Sequence, residues 1–348
     1  MKVIFLFMVI ALPWSIQAQD PVFTQFYTSR FNLNPALVGG DAAFSARVHY
    51  RRQWHQVPGG FETYAASLEF FIPSIGVGIA PFVLKDEEGT GNFRTVNYGS
   101  AFSVEVPLSS GITAHGGIRA SVVEKSANLD GVIFSDQLDP VYGSIYPTNA
   151  PLTGEMIRFP ELGWGTAIRG KFDYFHETAF FNAGVAGSRI FPSDDALSGL
   201  GETTKTRFSI HLGGTLPIWI THKGSKKTYF YYAPQFRYEQ QQSINIFSAG
   251  SYFVYRTFFL GAFIHRTNFN VFDNKKHTNA YVLHLGVEPI NKKNSVRVEY
   301  SFDINSSGIN ARLGGGVHEL SLVYKSARFL NADLGKIKNP YNGECPFK

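Results

Sequence analysis

Apolar and polar residues alternate along most of this chain, in segments of about ten residues separated by turn-forming residues. In AFSARVHYR (43–51), the even positions from Phe44 to Tyr50 are apolar and the odd positions from Ser45 to Arg51 are polar. The segments 96–106 and 295–302 repeat this pattern. Successive side chains of a β-strand point to opposite faces, so the period of two predicts strands with one apolar and one polar face.

The pattern predicts about fourteen strands and no amphipathic helix, which makes the fold class all-β. The predicted strands are 42–52, 62–71, 74–84, 93–106, 111–123, 160–170, 178–189, 206–216, 228–240, 244–254, 257–266, 279–288, 295–304 and 315–325.

Three features favour a transmembrane antiparallel outer-membrane β-barrel over a soluble sandwich or propeller. Aromatic residues recur near strand ends, and the polar faces are rich in Gly, Ala and Ser with single charged residues. The connections also alternate between short turns and long loops, as in outer-membrane barrels with short periplasmic turns and long external loops. On this topology we expect both ends of the mature chain in the periplasm and residues 125–158 as the longest external loop.

The start of the chain predicts export. Residues 1–18 combine Lys2, an apolar core and the small residue Ala18, which is the pattern of a cleaved signal peptide. We therefore expect a signal peptide at 1–18, the barrel at 19–325 and a periplasmic C-terminal tail at 326–348. The single cysteine, Cys345, lies in this tail and cannot form an intramolecular disulfide.

Composition and motifs argue against several functions. The net charge of +5 is scattered in turn-like segments, so we expect no nucleic-acid binding. GTAIRGKF (165–172) has Phe172 where a phosphate-binding loop needs Ser or Thr. The histidines show no metal-binding spacing, and Asp130, Asp136 and Asp139 lack the pattern of a calcium loop. We expect no enzymatic activity, no cofactor, no metal and no small-molecule substrate.

Five stretches in order resemble the PorP/SprF family of the type IX secretion system of Bacteroidota. They are DPVFTQFYTSRFNLNPALVGG (20–40), YRRQWHQVPGGFETYAAS (50–67), FSDQLDP (134–140), FFNAGVAGSRIFPSD (180–194) and GGVHELSLVYK (315–325). The resemblance spans nearly the whole mature chain. It implies an outer-membrane barrel, surrounded by lipid, that serves protein secretion, gliding motility or cell-surface attachment.

The partner implied by the resemblance is one of two kinds: a surface protein exported by the type IX system, or a periplasmic peptidoglycan-binding secretion component. We take Arg51, Gln53, Trp54, Asp136 and Gln137 as candidate partner-binding residues. The hypothesis is a non-enzymatic barrel that binds and anchors this partner. Two alternatives stay open: a passive porin whose lumen carries Arg47, Arg119 and Arg207, and a soluble secreted β-protein.

Overall fold

The computed structural model describes residues 20–40, 42–89, 93–128, 133, 135–147, 156–175, 177–191, 193–194, 203–223, 226–267, 278–289, 294–305 and 314–326. The expected signal peptide, the tail beyond Ser326 and Cys345 lie outside these residues. None of the helices in the described ranges is long and apolar enough to cross a membrane.

Fourteen of the described strands form one closed antiparallel barrel. In chain order the strands are β1 (Phe44–Gln53), β2 (Phe61–Ile72), β3 (Val77–Glu88), β4 (Phe93–Pro107), β5 (Ile112–Ala127), β6 (Leu138–Asp139), β7 (Gly143–Ser144), β8 (Ile157–Tyr174), β9 (Glu177–Ser188), β10 (Ser193–Asp194), β11 (Thr203–Thr204), β12 (Arg207–Lys223), β13 (Lys226–Gln241), β14 (Ile244–Tyr255), β15 (Phe258–Thr267), β16 (Thr278–Val287), β17 (Asn294–Asn305) and β18 (Val317–Ser326). The short strands β6 and β7 form one hairpin, and β10 and β11 another; both lie in loops.

Each barrel strand pairs with its sequence neighbours, and β1 pairs with β18 from Phe44↔Ser326 to Gln53↔Val317. The predicted strands match the fourteen barrel strands in number and order. Closure leaves no unpaired sheet edge, which is the condition for a β-structure to span a bilayer.

The distribution of burial is that of a membrane barrel, with apolar side chains outside and polar side chains inside. In β17, Val296, Val298 and Tyr300 are exposed, while Arg297 and Glu299 are buried. The outer face can therefore contact lipid, and the inner face needs polar partners. This burial pattern contradicts the alternative of a soluble β-protein.

The connections define two rims. The short-turn rim joins strands through residues 73–76, 108–111, 175–176, 224–225, 256–257 and 288–293. The long-loop rim joins them through 54–60, 89–92, 128–156, 189–206, 242–243, 268–277 and 306–316, of which 128–156 is the longest. Because long loops of such barrels usually lie outside the cell, we expect the long-loop rim to face the exterior.

The N-terminal segment, residues 20–40, fills the barrel lumen; we call it the plug. It contains one helical turn, α1 (Arg30–Leu33), followed by a 3-10 turn at Pro35–Leu37. Most of its residues are buried, and Asn34 and Ala36 are fully so. The prediction treated residues 20–40 only as a start to the barrel and missed this location.

Candidate functional site

The plug crosses the lumen from the long-loop rim to the short-turn rim. At the first rim, Asp20 Oδ1 lies 2.7 Å from Arg189 Nη2, just beyond the end of β9. At the other rim, the Gly39 N–H donates to Glu69 Oε2 at 3.1 Å and Arg169 donates to the Gly40 carbonyl at 3.0 Å. The chain then turns into β1. Wall charges thus hold Asp20 at the long-loop rim, the opposite end of the barrel from the start of β1.

Arginines of the barrel wall satisfy the plug's carbonyl groups. The Arg237 guanidinium donates to the Phe23 carbonyl at 2.9 Å, and the Arg207 guanidinium donates to the Asn32 carbonyl at 2.8 Å. The Arg119 guanidinium donates to the Phe31 carbonyl and forms an ion pair with Glu161. A segment with little regular secondary structure leaves many backbone groups unpaired, and buried ones must find partners elsewhere. The lumen arginines act as those partners.

Glu319 does the same for the plug's amide groups near the long-loop rim. Its carboxylate accepts hydrogen bonds from the N–H groups of Thr24 at 2.8 Å and Gln25 at 3.0 Å. Arg51 Nη1 lies 3.3 Å from the same carboxylate and donates to the Thr24 hydroxyl at 2.8 Å. Charged residues of β1 and β18, the two strands that close the barrel, therefore also bind the first residues of the plug.

Asn34 fixes the middle of the plug. Its side-chain oxygen accepts the Ala36 N–H at 2.9 Å, which caps the 3-10 turn. Its amide nitrogen donates to the Thr166 carbonyl at 3.0 Å and lies 3.0 Å from His211 Nε2. One side chain therefore links the plug to both β8 and β12.

Aromatic contacts supply the apolar part of this interface. The Phe31 ring stacks on the Phe82 ring of β3, with centroids 4.3 Å apart. The Phe26 ring meets the Phe263 ring edge-on, and the Arg237 guanidinium lies 4.7 Å from the Phe26 centroid. The plug is thus packed like a protein core, which explains why its polar residues are as buried as its apolar ones.

A cavity of about 510 Å³ remains open above the tip of the plug; we call it the mouth pocket. Its walls come from the plug and from strands on both sides of the barrel. The lining residues are Asp20, Pro21, Val22, Thr24, Arg51, Gln53, Trp54, Phe61, Thr63, Asp86, Glu88, Ile246, His265, Thr267, Ala280, Asp303, Asn305 and Val317.

Trp54 occupies an unusual backbone position at the edge of this pocket. Its φ of 57° lies in the left-handed region, which is costly for a bulky residue. The Trp54 N–H donates to the Gly316 carbonyl at 3.0 Å, and its ring packs edge-on against Phe61 with centroids 5.4 Å apart. These contacts hold the indole against the pocket instead of in the lipid-facing aromatic girdle.

The structure brings together three of the five predicted site residues, since Arg51, Gln53 and Trp54 all line the mouth pocket. Asp136 and Gln137 belong to a 3-10 turn, Ser135–Gln137, in the loop between β5 and β8, and they do not line the pocket. There the Gln137 carbonyl accepts the N–H groups of Ile145 at 3.0 Å and Tyr146 at 3.2 Å.

Asp139 organises the same loop hairpin. Its Oδ1 accepts the N–H groups of Val141 at 2.8 Å and Tyr142 at 2.9 Å, and its Oδ2 accepts the Tyr146 hydroxyl. These bonds, led by that from Val141, lower the pKa of Asp139 below its usual value of 3.8. The carboxylate of Asp139 therefore holds the turn of this hairpin together.

The histidines on polar strand faces are lumen residues, as expected. His49 and His211 are almost fully buried, and His265 Nε2 lies 3.0 Å from Ser248 Oγ. Within the described ranges, no three His, Cys, Asp or Glu side chains are placed to hold a metal ion.

The sequence reasoning missed the residues that hold the plug, chiefly Asn34 and Glu319. The capping role of Asn34 could have been recognised from the Asn-Pro-Ala stretch at 34–36, because Asn before Pro is a common start of a short helical turn. The signal for Glu319 was a charged residue on the inner face of the last strand, but nothing in the sequence indicated its partner.

The family model for the type IX secretion system membrane protein PorP/SprF matches residues 15–324. The chain belongs to the PorP/SprF family. The resemblance noted from five short stretches is thereby confirmed over almost the whole barrel. Together with the lipid-facing exterior, membership identifies this chain as an outer-membrane protein of the type IX secretion system.

Among curated proteins, no match is found. Among solved structures, the β domain of the Bordetella autotransporter BrkA is 11% identical, with a TM-score of 0.42 over 83% of this chain and 100% of that one. A Pseudomonas aeruginosa FadL homologue is 10% identical, with a TM-score of 0.40 over 85% of this chain and 93% of that one. Such values carry no argument about the function of this chain.

Proposed function

We propose that this PorP/SprF barrel is a non-enzymatic anchor that binds a partner protein at the outer membrane. The observation that supports this proposal is the plug. It fills the lumen and is held to the barrel wall by hydrogen bonds and ion pairs. A barrel filled in this way offers surfaces for binding and little space for transport. Membership of a secretion-system family supplies the context.

The location of the candidate residues favours a partner outside the cell. Arg51, Gln53 and Trp54 line a pocket at the long-loop rim, which we expect to face the exterior. Of the two partner kinds implied by family resemblance, this supports the exported surface protein over the periplasmic peptidoglycan-binding component.

Photo-cross-linking from the two rims tests this proposal. A photoreactive amino acid replaces Gln56, exposed at the long-loop rim, or Ser109, exposed at the short-turn rim, in the tagged native protein. We expect a cross-link to a type IX-exported protein from position 56 and none from position 109. A cross-link only from position 109 moves the site to the periplasm, and recovery of the barrel alone from both positions refutes anchoring.

The passive porin is disfavoured by the same plug. Arg47, Arg119 and Arg207, which could have favoured anions in an open lumen, donate to the plug carbonyls of Thr28, Phe31 and Asn32. Planar-bilayer recording separates the two functions: we expect the full mature chain to show no steady current. A steady open-channel current from the intact chain would support the porin.

A further inference from the structure

The mouth pocket has carboxylates in excess over basic groups. Asp20, Asp86, Glu88 and Asp303 line it, with Arg51 as the only guanidinium among the lining residues. Asp20 is paired with Arg189, and Asp303 Oδ2 lies 3.6 Å from Arg51 Nη1. The wall formed by β3 is therefore the negative side of the pocket.

Asp86 and Glu88 are two positions apart on β3, so both side chains point to the inner face, and both line the pocket. The Thr63 hydroxyl donates to Asp86 at 2.5 Å. The positive charge of Arg51 acts on Asp86 and that of Lys125 acts on Glu88, but Lys125 is not part of the pocket lining. Two neighbouring carboxylates repel one another, and a cation bound between them relieves this repulsion.

Two further polar atoms of the pocket residues have no partner among the described residues. Asp303 is 4% exposed, yet its Oδ1 accepts no hydrogen bond. The Nε1 of Trp54 also donates none. Buried polar atoms in native proteins are usually paired, so the hydrogen bonding of these two pocket residues is incomplete.

The aromatic side chains of the pocket indicate which chemical group could bind there. Trp54 and Phe61 line the pocket beside these carboxylates, because β2, which carries Phe61, pairs directly with β3. Aromatic faces attract organic cations, and carboxylates bind guanidinium and ammonium groups through charge-assisted hydrogen bonds. A volume of about 510 Å³ is in the range of pockets for small organic groups and far larger than a single metal ion needs.

We propose that the mouth pocket binds a basic side chain, arginine or lysine, presented by the anchored partner. This inference rests on the proposed function, because it names the chemical group by which the partner is held. The basic group sits against the Asp86–Glu88 pair and the neighbouring rings of Trp54 and Phe61, with Asp303 as a further carboxylate of the lining.

The test uses the full mature protein in detergent micelles and calorimetric titration with the peptide acetyl-Gly-Arg-Gly-amide. The same peptide with citrulline in place of arginine is the neutral control. We expect the arginine peptide to bind at least about tenfold more tightly, since hydrogen bonds to charged groups outweigh those to neutral ones. Equal binding of the two peptides overturns the proposal.

Variants on one strand localise the effect. Glu88→Gln and Asp86→Asn should each weaken binding of the arginine peptide about tenfold. Glu87→Gln is the matched control, because Glu87 pairs with Lys85 and Arg94 outside the pocket lining. If Glu88→Gln leaves the affinity for the arginine peptide unchanged, or if Glu87→Gln lowers it equally, the peptide does not bind in the mouth pocket. Heat-modifiable migration in gel electrophoresis verifies that each variant barrel is folded.

The same variants separate this inference from anchoring. If the arginine peptide does not bind but position 56 still cross-links an exported protein, the basic-residue pocket is wrong and anchoring stands. If the peptide binds but no protein cross-links, the pocket stands and anchoring fails.

Discussion

Gly117 of β5 lies directly beneath the plug, and adding one methyl group there tests how tightly the plug is packed. A Cβ at this position would lie 2.5 Å from the Pro35 carbonyl carbon and 2.6 Å from Ala36 Cα. Ordinary carbon contacts need about 3.5–4.0 Å, so the plug or strand must move by roughly 1 Å. At Gly116, the preceding residue, an added Cβ would meet no atom within 4 Å.

Overpacking of this kind costs about 1–3 kcal/mol, which corresponds to about a 5- to 150-fold change in a local opening equilibrium. In Gly117→Ala we expect the amides of Ala36 and Leu37 to exchange their hydrogens faster by that factor. The Ala36 amide donates to Asn34 Oδ1 and the Leu37 amide to the Asn34 carbonyl, so both report on the seated plug.

The assay is hydrogen–deuterium exchange by mass spectrometry, comparing peptides from 26–40 with peptides from the barrel wall. Gly116→Ala serves as the control and should leave exchange of the plug unchanged. If Gly117→Ala and Gly116→Ala give the same exchange in 26–40, the plug does not rest against β5 and the packing argument is refuted.

Three other perturbations address separate contacts. Glu319→Gln removes the charge that accepts the Thr24 and Gln25 amides, so their hydrogen exchange should rise at least about tenfold; unchanged exchange contradicts this anchor. Asn34→Ala removes the cap and the link to Thr166, and should lower the free energy of unfolding by about 2 kcal/mol in urea titration; an unchanged midpoint contradicts it. Asp139 has a lowered pKa, so its contribution to loop order is complete above the usual value of 3.8 and is lost as pH falls through the lowered value. Amide NMR shifts of Val141 and Tyr142 should follow this loss, and in Asp139→Asn they should not; a midpoint above pH 3.8 contradicts the turn geometry.

The barrel was predictable because its signal is local. Alternation within ten residues identifies a strand, and the charged face of segments such as 295–302 indicates that polar residues point inward. The predicted strands 42–52 and 62–71 also located the turn between β1 and β2. The four two-residue strands were missed because a period of two cannot be recognised in a pair of residues.

The plug was not predictable in this way, because it has no periodic pattern. A segment surrounded by wall on all sides buries Thr24, Gln25 and Asn34 as fully as Phe23 and Leu37. Burial of polar residues depends on partners such as Glu319 and Arg237, which lie more than two hundred residues away in sequence. For the same reason the sequence placed Arg51, Gln53 and Trp54 near one another but did not reveal Asp303 or Asp86 beside them.

The pairing of Glu319 with Thr24 also has a consequence for how the protein is made. The two residues are 295 positions apart, so the last strand to be synthesised carries the partner of a residue near the start of the plug. Contacts of such high sequence separation form late in folding, because a long loop must close first. A chain truncated before β17 would lack Asp303 and Glu319, the barrel seam and the acceptors for the plug tip together. Closure of the wall between β1 and β18 and hydrogen bonding of the plug tip to Glu319 therefore both require the last strand.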